Sequence, residues 1–241
     1  MDKIIEEIKK AKRIVAFTGA GMSVESGIAP FRGENGLWSE FDPQKVASAS
    51  AFTKEPEKCW KLFKLQIVES FDSEPHKGHY SLVELEDYGL KSVITQNIDG
   101  LHQKAGSDQV LELHGSLARL ICTSCKNSFD TNRVLDEIKK GKVPKCECGD
   151  ILKPDVVLFG EALPQSIFRQ AWKEAEKCDF LLSLGTSAVV QPAASIPELA
   201  KKFGAKIVEI NLEKTPLTNE VSDHFLEGKV GERLPELVAH L

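Results

Sequence analysis

"AFTGAGMSVESGIAPFRG", residues Ala16 to Gly33, decides how the rest of the chain is read. An apolar strand pattern, Ile14-Val15-Ala16-Phe17, runs into the small turn Thr18-Gly19-Ala20-Gly21. A strand feeding such a turn begins a dinucleotide-binding unit, because Gly19 and Gly21 let the backbone approach a diphosphate and a helix start offers its N–H groups. The continuation is not that of a dehydrogenase. Ser26-Gly27 and Pro30 leave room for little more than one helical turn, and Gly33 and Gly36 keep the chain irregular beyond it. Position 24 is Val where the hydride-transfer fingerprint has its third glycine, and no acidic residue closes an adjacent strand to hold an adenine ribose. Residues suited to that ribose come late, at Asn211 and Glu213.

Outward from this stretch, further apolar β-branched runs read as buried parallel strands: Ser92 to Thr95, Val156 to Phe159, Phe180 to Leu184 and Lys206 to Ile210. Helical patterns lie between several of them, as in "HYSLVELEDYG", "PQSIFRQAWKEAEKC" and "AASIPELAKKFGA", and "MDKIIEEIKKAKR" reads as an amphipathic first helix. The runs end in Gly19-Ala20-Gly21, Gln96-Asn97-Ile98-Asp99, Gly160-Glu161, Gly185-Thr186-Ser187 and Asn211. Ligands of an open parallel sheet bind beyond the carboxyl ends of its strands, so this polar edge is the expected site. Any one of these turns alone is ordinary strand-end chemistry.

Two segments break the rhythm: 32 to 75, mixed and mostly helical, and 118 to 152, polar and cysteine-bearing. In the second, Cys122 and Cys125 precede Cys146 and Cys148 by twenty residues. Two thiolate pairs at this spacing suit a closed, tetrahedral structural zinc site, against the alternatives of chance thiols or a redox-active Cys-x-x-Cys. The second pair has a single residue between its cysteines and needs the tighter bend. Cys59 and Cys178 fall in helical patterns and read as buried thiols.

The expected fold is therefore α/β: a Rossmann-like parallel sheet with helices on both faces, plus a smaller lobe made of a zinc-binding insertion and a helical insertion. The expected division is 1–31, 76–117 and 153–241 for the NAD-binding domain, 32–75 for a cofactor loop and helical insertion, and 118–152 for the zinc-binding insertion. A net charge of −5, from 31 basic and 36 acidic residues, argues against nucleic acid as the direct ligand. The start of the chain carries acids and no long apolar run, and no membrane span is expected. Cytoplasmic location, with reduced thiols, and a monomer are the expectations.

The ordered set Gly19-Ala20-Gly21-Met22-Ser23, Gly27 to Arg32, Thr95 to Asp99, Leu113-His114-Gly115, the cysteines, Lys153 to Glu161 and Gly185-Thr186-Ser187 resembles the sirtuin family, NAD-dependent protein-lysine deacylases, in its compact prokaryotic-type catalytic core. Two departures stand out. Pro30 lies one place later than the family's proline, and the second cysteine pair is one residue shorter.

The resemblance implies a cleft between the large domain and the zinc-bearing lobe, entered by NAD and acyl-lysine from opposite sides. It implies cofactor contacts from Gly19, Ala20, Gly21, Ser23, Phe31, Arg32, Gln96, Asn97, Ile98, Asp99, Gly185, Thr186, Ser187 and Asn211. The loop from Ala29 to Trp38 would then be a lid that excludes water. Asp99 is implied to grip the nicotinamide carboxamide, Asn97 to order the ribose and a water, and His114 to be the general base acting on a ribose hydroxyl. Without the family, a single His after a strand is more often structural, Asp99 suits a helix cap, Arg32 a surface charge and Phe31 plain core.

Substrate contacts are implied for Val157, Phe159, Gly160 and Glu161, where a peptide adds itself as a strand. Succinyl-removing members carry Tyr and Arg three residues apart after a Trp. Here the matching positions after Trp60 are Phe63 and Gln66, so an acetyl or other uncharged acyl group is expected. The implied reaction gives nicotinamide, O-acyl-ADP-ribose and free lysine in protein or peptide substrates. The alternatives are a mono-ADP-ribosyltransferase, or a non-catalytic NAD-binding sensor with a structural zinc ribbon.

Overall fold

All five residues of strand β1 (Ile14–Thr18) are buried, because this strand is covered on both faces. Ile14 and Ala16 join one apolar layer with Ile4, Ile8, Leu82 and Leu234. Val15 and Phe17 join the other with Ala171, Ala175 and Ile196. Period-two alternation sorts the side chains between the layers, and full burial of a side chain such as Phe17 stabilises the fold by about 2 kcal/mol. The computed structural model describes residues 1–32 and 36–241.

Around β1 are β2 (Leu90–Thr95), β3 (Val110–Glu112), β7 (Phe180–Leu184), β8 (Lys206–Asn211) and β9 (His224–Glu227), in the order β3-β2-β1-β7-β8-β9 and parallel throughout. Counted within this sheet alone, the order is that of a dinucleotide-binding fold, and its reversal lies between β1 and β7. Helices Asp2–Lys10, Lys77–Glu84 and Val230–Val238 supply one layer. Helices Gln165–Lys177 and Ser195–Lys202 supply the other.

A second, three-stranded antiparallel sheet has the order β5-β4-β6, from β4 (Gly115–Cys122), β5 (Ser128–Asp130) and β6 (Leu152–Val156). Helix Pro56–Asp72 crosses it, burying Trp60, Phe63 and Ile67 against Leu120, Leu152 and Val156. The Trp60 indole N–H donates to the Leu152 carbonyl at 2.8 Å, which satisfies its one polar atom.

One expected strand is corrected. Val156 to Phe159 does not enter the parallel sheet. The strand lies earlier, over Leu152–Val156, and runs antiparallel to β4 in the small sheet. Pro154 argues for a poor strand on sequence, yet β6 is an edge strand, where a missing N–H is tolerated. Two edge strands, β3 and β9, were not anticipated: three and four residues are too short to show periodicity. No helix among the described residues is long and apolar enough to cross a membrane.

Candidate functional site

At the carboxyl edge of the parallel sheet, the turn after β1 lies against the turn after β7. The Gly21 N–H donates to the Gly185 carbonyl at 2.7 Å. A Cβ on Gly185 would lie 2.5 Å from Gly21 C and Met22 N, at φ +57°, so only glycine fits there. A Cβ on Gly19 would come within 2.8 Å of Thr186 Cβ. The glycines that the sequence assigns to diphosphate approach are thus needed first to let the two turns meet.

A polar chain crosses this seam. Gln96 Nε2 donates to Thr186 Oγ1 at 2.8 Å, and Asn211 Nδ2 donates to the Thr186 carbonyl at 3.0 Å. Asn97, buried, donates through Nδ2 to the Gly19 carbonyl and to Ser23 Oγ, both at 3.0 Å. The Ser23 hydroxyl donates onward to Asp99 Oδ2 at 2.7 Å, while Asp99 Oδ1 accepts the Leu101 N–H at 2.9 Å. Burial pushes the Asp99 carboxyl above the ordinary aspartate value, and the bonds from Leu101 and Ser23 pull it part of the way back.

Beside Asp99 is a small cavity of about 30 Å³ lined by Ala20, Ser23, Ile28, Phe31, Asn97 and Asp99, among others. That is space for roughly one or two waters, so a larger ligand must part its walls. A second cavity of about 220 Å³ is lined by Phe31, Trp38, Phe63, His114, Val157 and Phe159, with Leu62, Leu163 and Pro192. Phe31, Gln66 and Ile98 line both. Aromatic rings roof the larger one, Phe31 on Trp38 at 5.2 Å and Trp38 on Phe159 at 6.1 Å between centroids.

His114 faces the larger cavity from the sheet side. Its Nδ1 lies 2.8 Å from the Gln96 carbonyl, which can only accept, so Nδ1 carries the proton and Nε2 is left as a base. Burial lowers its pKa below the ordinary 6.5, against an opposing pull from the Gln96 bond, and the ring is neutral at pH 7.

The segment after β6 is pinned from two sides. The Val157 N–H donates to the His114 carbonyl at 2.9 Å, the Phe159 N–H to the Ala47 carbonyl at 2.9 Å, and the Ala49 N–H to the Phe159 carbonyl at 3.0 Å. Glu161 turns back toward buried Lys153 at 2.8 Å and accepts the Leu158 N–H at 2.9 Å. From Val157 to Glu161 the one N–H without a partner among the described residues is that of Gly160, exposed and at φ +90°.

The structure therefore brings Ser23, Phe31, Asn97, Ile98, Asp99, His114, Val157, Phe159, Phe63 and Gln66 to the two cavities. Arg32 also lines the larger one but is exposed, and Ser187 is exposed on the β7 turn. Of the lid expected from Ala29 to Trp38, residues 33–35 lie outside the described residues; the flanks are tied by Leu37 N–H to the Pro30 carbonyl at 2.8 Å and Trp38 N–H to the Phe31 carbonyl at 3.0 Å. Sequence reasoning missed Leu62, Leu163, Glu69 and Pro192, isolated residues that no motif or period singles out, and named Trp38 only as the end of the lid. His76 caps helix Lys77–Glu84, its Nδ1 accepting the Gly78 N–H at 3.0 Å, with His79 in the first turn.

Away from the cleft, the Sγ atoms of Cys122, Cys125, Cys146 and Cys148 all lie within 4.8 Å of one another. Cys122 to Cys148 and Cys125 to Cys146 are each 3.5 Å, close to the roughly 3.8 Å edge of a tetrahedron with zinc–sulfur bonds of about 2.3 Å. The donor set fits a closed structural zinc site. The short second pair is accommodated by Gly149 at φ +99°, whose N–H donates to the Cys146 carbonyl, and by Cys146 N–H donating to the Asp150 carbonyl at 2.7 Å.

Comparison with known proteins adds the following. The family described as "Sir2 family" matches residues 19–192. NAD-dependent protein deacylase 1 of Archaeoglobus fulgidus is 48% identical over 242 residues, covering 100% of this chain and 97% of its own. A solved Sir2 homolog–NAD complex superposes with a TM-score of 0.92 at 47% identity, covering 100% of this chain and 93% of that one. A Sir2 variant solved with a deacetylated p53 peptide and 3′-O-acetyl ADP-ribose superposes with a TM-score of 0.93 at 33% identity, covering 99% and 97%.

Proposed function

The chain belongs to the Sir2 family, and from that premise we propose how its residues share the work of an NAD-dependent protein-lysine deacylase. Its products are nicotinamide, free lysine and O-acyl-ADP-ribose. When bound, NAD supplies a ribose carbon that becomes open to attack as nicotinamide leaves. The NAD-binding unit comprises 1–31, 76–117 and 153–241, and the segments 32–75 and 118–152 close the cleft over it.

In this reading the Gly19–Gly21 and Gly185–Ser187 turns hold the diphosphate side, with Arg32 near its outer end, and Asn211 and Gln96 serve the riboses. Asp99, held by Ser23 and Leu101, accepts the carboxamide N–H in the small cavity. Asn97 orders the ribose and a water. The acyl-lysine enters along Val157 to Glu161 with its stem between Val157 and Phe159, and Gly160 offers the open N–H for backbone pairing. His114 accepts a ribose hydroxyl proton at Nε2. The four cysteines hold zinc in a structural role.

The observation that carries this reading is the junction of the two cavities. The Asn97–Ser23–Asp99 chain stands on one side and an unprotonated Nε2 of His114 on the other, with Phe31, Gln66 and Ile98 between them. The test is an acetyl-lysine peptide incubated with and without NAD while nicotinamide and deacetylated peptide are quantified. Equal amounts formed only with NAD support the reading. Labelled ADP-ribose stably attached to protein, without deacetylated peptide, favours an ADP-ribosyltransferase instead.

A further inference from the structure

In the wall of the small cavity opposite the sheet, Glu69 and Ser70 are used by none of these roles. Helix Pro56–Asp72 presents Gln66, Glu69 and Ser70 to it, spaced i, i+3 and i+4 and so on one face. Glu69 is half-buried, and its Oε2 is enclosed with no hydrogen-bond partner among the described residues. Burial also holds its carboxyl above the ordinary glutamate value. The enclosed carboxylate oxygen calls for a partner that the described residues do not supply, and it lines a cavity open to one.

The neighbouring carboxyl is already engaged. Asp99 accepts from Ser23 through one oxygen and from Leu101 through the other. The rest of the lining includes Ala20, Ile28, Phe31 and Leu37, apolar surfaces suited to a flat ring. A ring with a primary amide brings two N–H donors, and Asp99 already carries a bond on each oxygen, so a second acceptor serves the other N–H. We propose that the Glu69 carboxyl is a second hydrogen-bonding group for the carboxamide of nicotinamide, alongside Asp99. This rests on the reading of the small cavity as the nicotinamide end of the NAD site and adds to it a contact from the helical insertion, outside the parallel sheet.

The test compares the parent chain, Glu69→Leu, Glu69→Gln and Asp99→Asn. Nicotinamide is titrated into each protein in the presence of saturating ADP-ribose and followed by calorimetry, and its inhibition of acetyl-peptide turnover is measured in parallel. Glu69→Leu keeps the shape without the polar atoms and should weaken nicotinamide about tenfold in both measurements. Glu69→Gln keeps an oxygen acceptor and should stay within about threefold, and KM for the peptide should be unchanged in both. If Glu69→Leu binds nicotinamide like the parent while Asp99→Asn is weakened, the cavity assignment stands and the role of Glu69 is overturned. If the parent neither binds nicotinamide nor releases it from NAD, the underlying reading fails first, and the proposal with it.

Discussion

In the proposed reading, with Nδ1 of His114 committed to the Gln96 carbonyl, the proton that matters for turnover is the one Nε2 takes. Its pKa lies below 6.5 because burial disfavours the cation. The base is therefore intact at pH 7 and is lost only as pH falls through that lowered value. For kcat/KM on an acetyl peptide we expect an acidic limb with its midpoint below 6.5 and a plateau from 7 to 8; a midpoint above 7 contradicts the assignment. His114→Asn should cost about 10²- to 10⁴-fold in turnover while NAD binding persists. In the proposed reading a second residue bears on which acyl group fits. Gln66 is buried in the wall of the larger cavity, and Arg32, the one arginine lining it, is exposed. Gln66→Arg should raise the ratio of desuccinylation to deacetylation about tenfold or more by giving a carboxylate a charged donor; an unchanged ratio counts against it. The motifs put Asn97, Asp99 and His114 forward as candidates, and the structure brings all three to the two cavities. Glu69 was not among them, because it matters only through the way its own helix is rotated in space.

The small lobe shows how an element borrows its stability. Cys122 and Cys146 are buried in the same cluster as Trp60, Leu120 and Leu152, so metal ligation and apolar packing hold one another in place. The purified chain should carry a single zinc at this cluster, and Cys148→Ser should release it and lower Tm by about 5 °C or more; a metal-free chain with parent-like Tm excludes the site. The cysteine spacing told this in advance, whereas strand membership did not follow from composition. Val156-Val157-Leu158-Phe159 is as apolar as any strand of the large sheet. Yet Val157 and Phe159 are held by the His114 and Ala47 carbonyls, one at each margin of the cleft. Apolar runs report burial, and only the partners decide between a strand in the core and a ledge beside a cavity.

For the molecule as a whole, the sheet edge rests on buried imidazoles. His102, 1% exposed, sits with Nε2 3.0 Å from Thr18 Oγ1 at the end of β1, and His79, 0% exposed, packs against it with ring centroids 5.0 Å apart and planes tilted by 56°. Burial drives their pKa values down, to about 3 for His102 and about 2 for His79. In the unfolded chain both titrate near 6.5, so below that pH the unfolded state binds protons that the folded state refuses. Stability should then fall as pH drops from 7 toward 4, each histidine adding at most about 1.4 kcal/mol per pH unit. Urea midpoints at pH 7 and pH 5 at one ionic strength check this, and equal midpoints refute it. At this scale the sequence was most informative. Parallel strands alternating with helices, and polar turns at every strand end, left one edge of one sheet as the place for a ligand.

Phe31, Gln66 and Ile98 belong to both cavities, so in the proposed reading the departing base and the acyl chain share one wall. A ligand that displaces this shared wall changes the free energy of occupancy on the other side, and thermodynamics makes that influence mutual and equal. A feedback inhibitor acting here would have a potency that depends on what the enzyme is digesting. Nicotinamide should give different inhibition constants against acetyl and longer-chain peptides, and the acyl chain that most weakens nicotinamide should itself be weakened by the same factor.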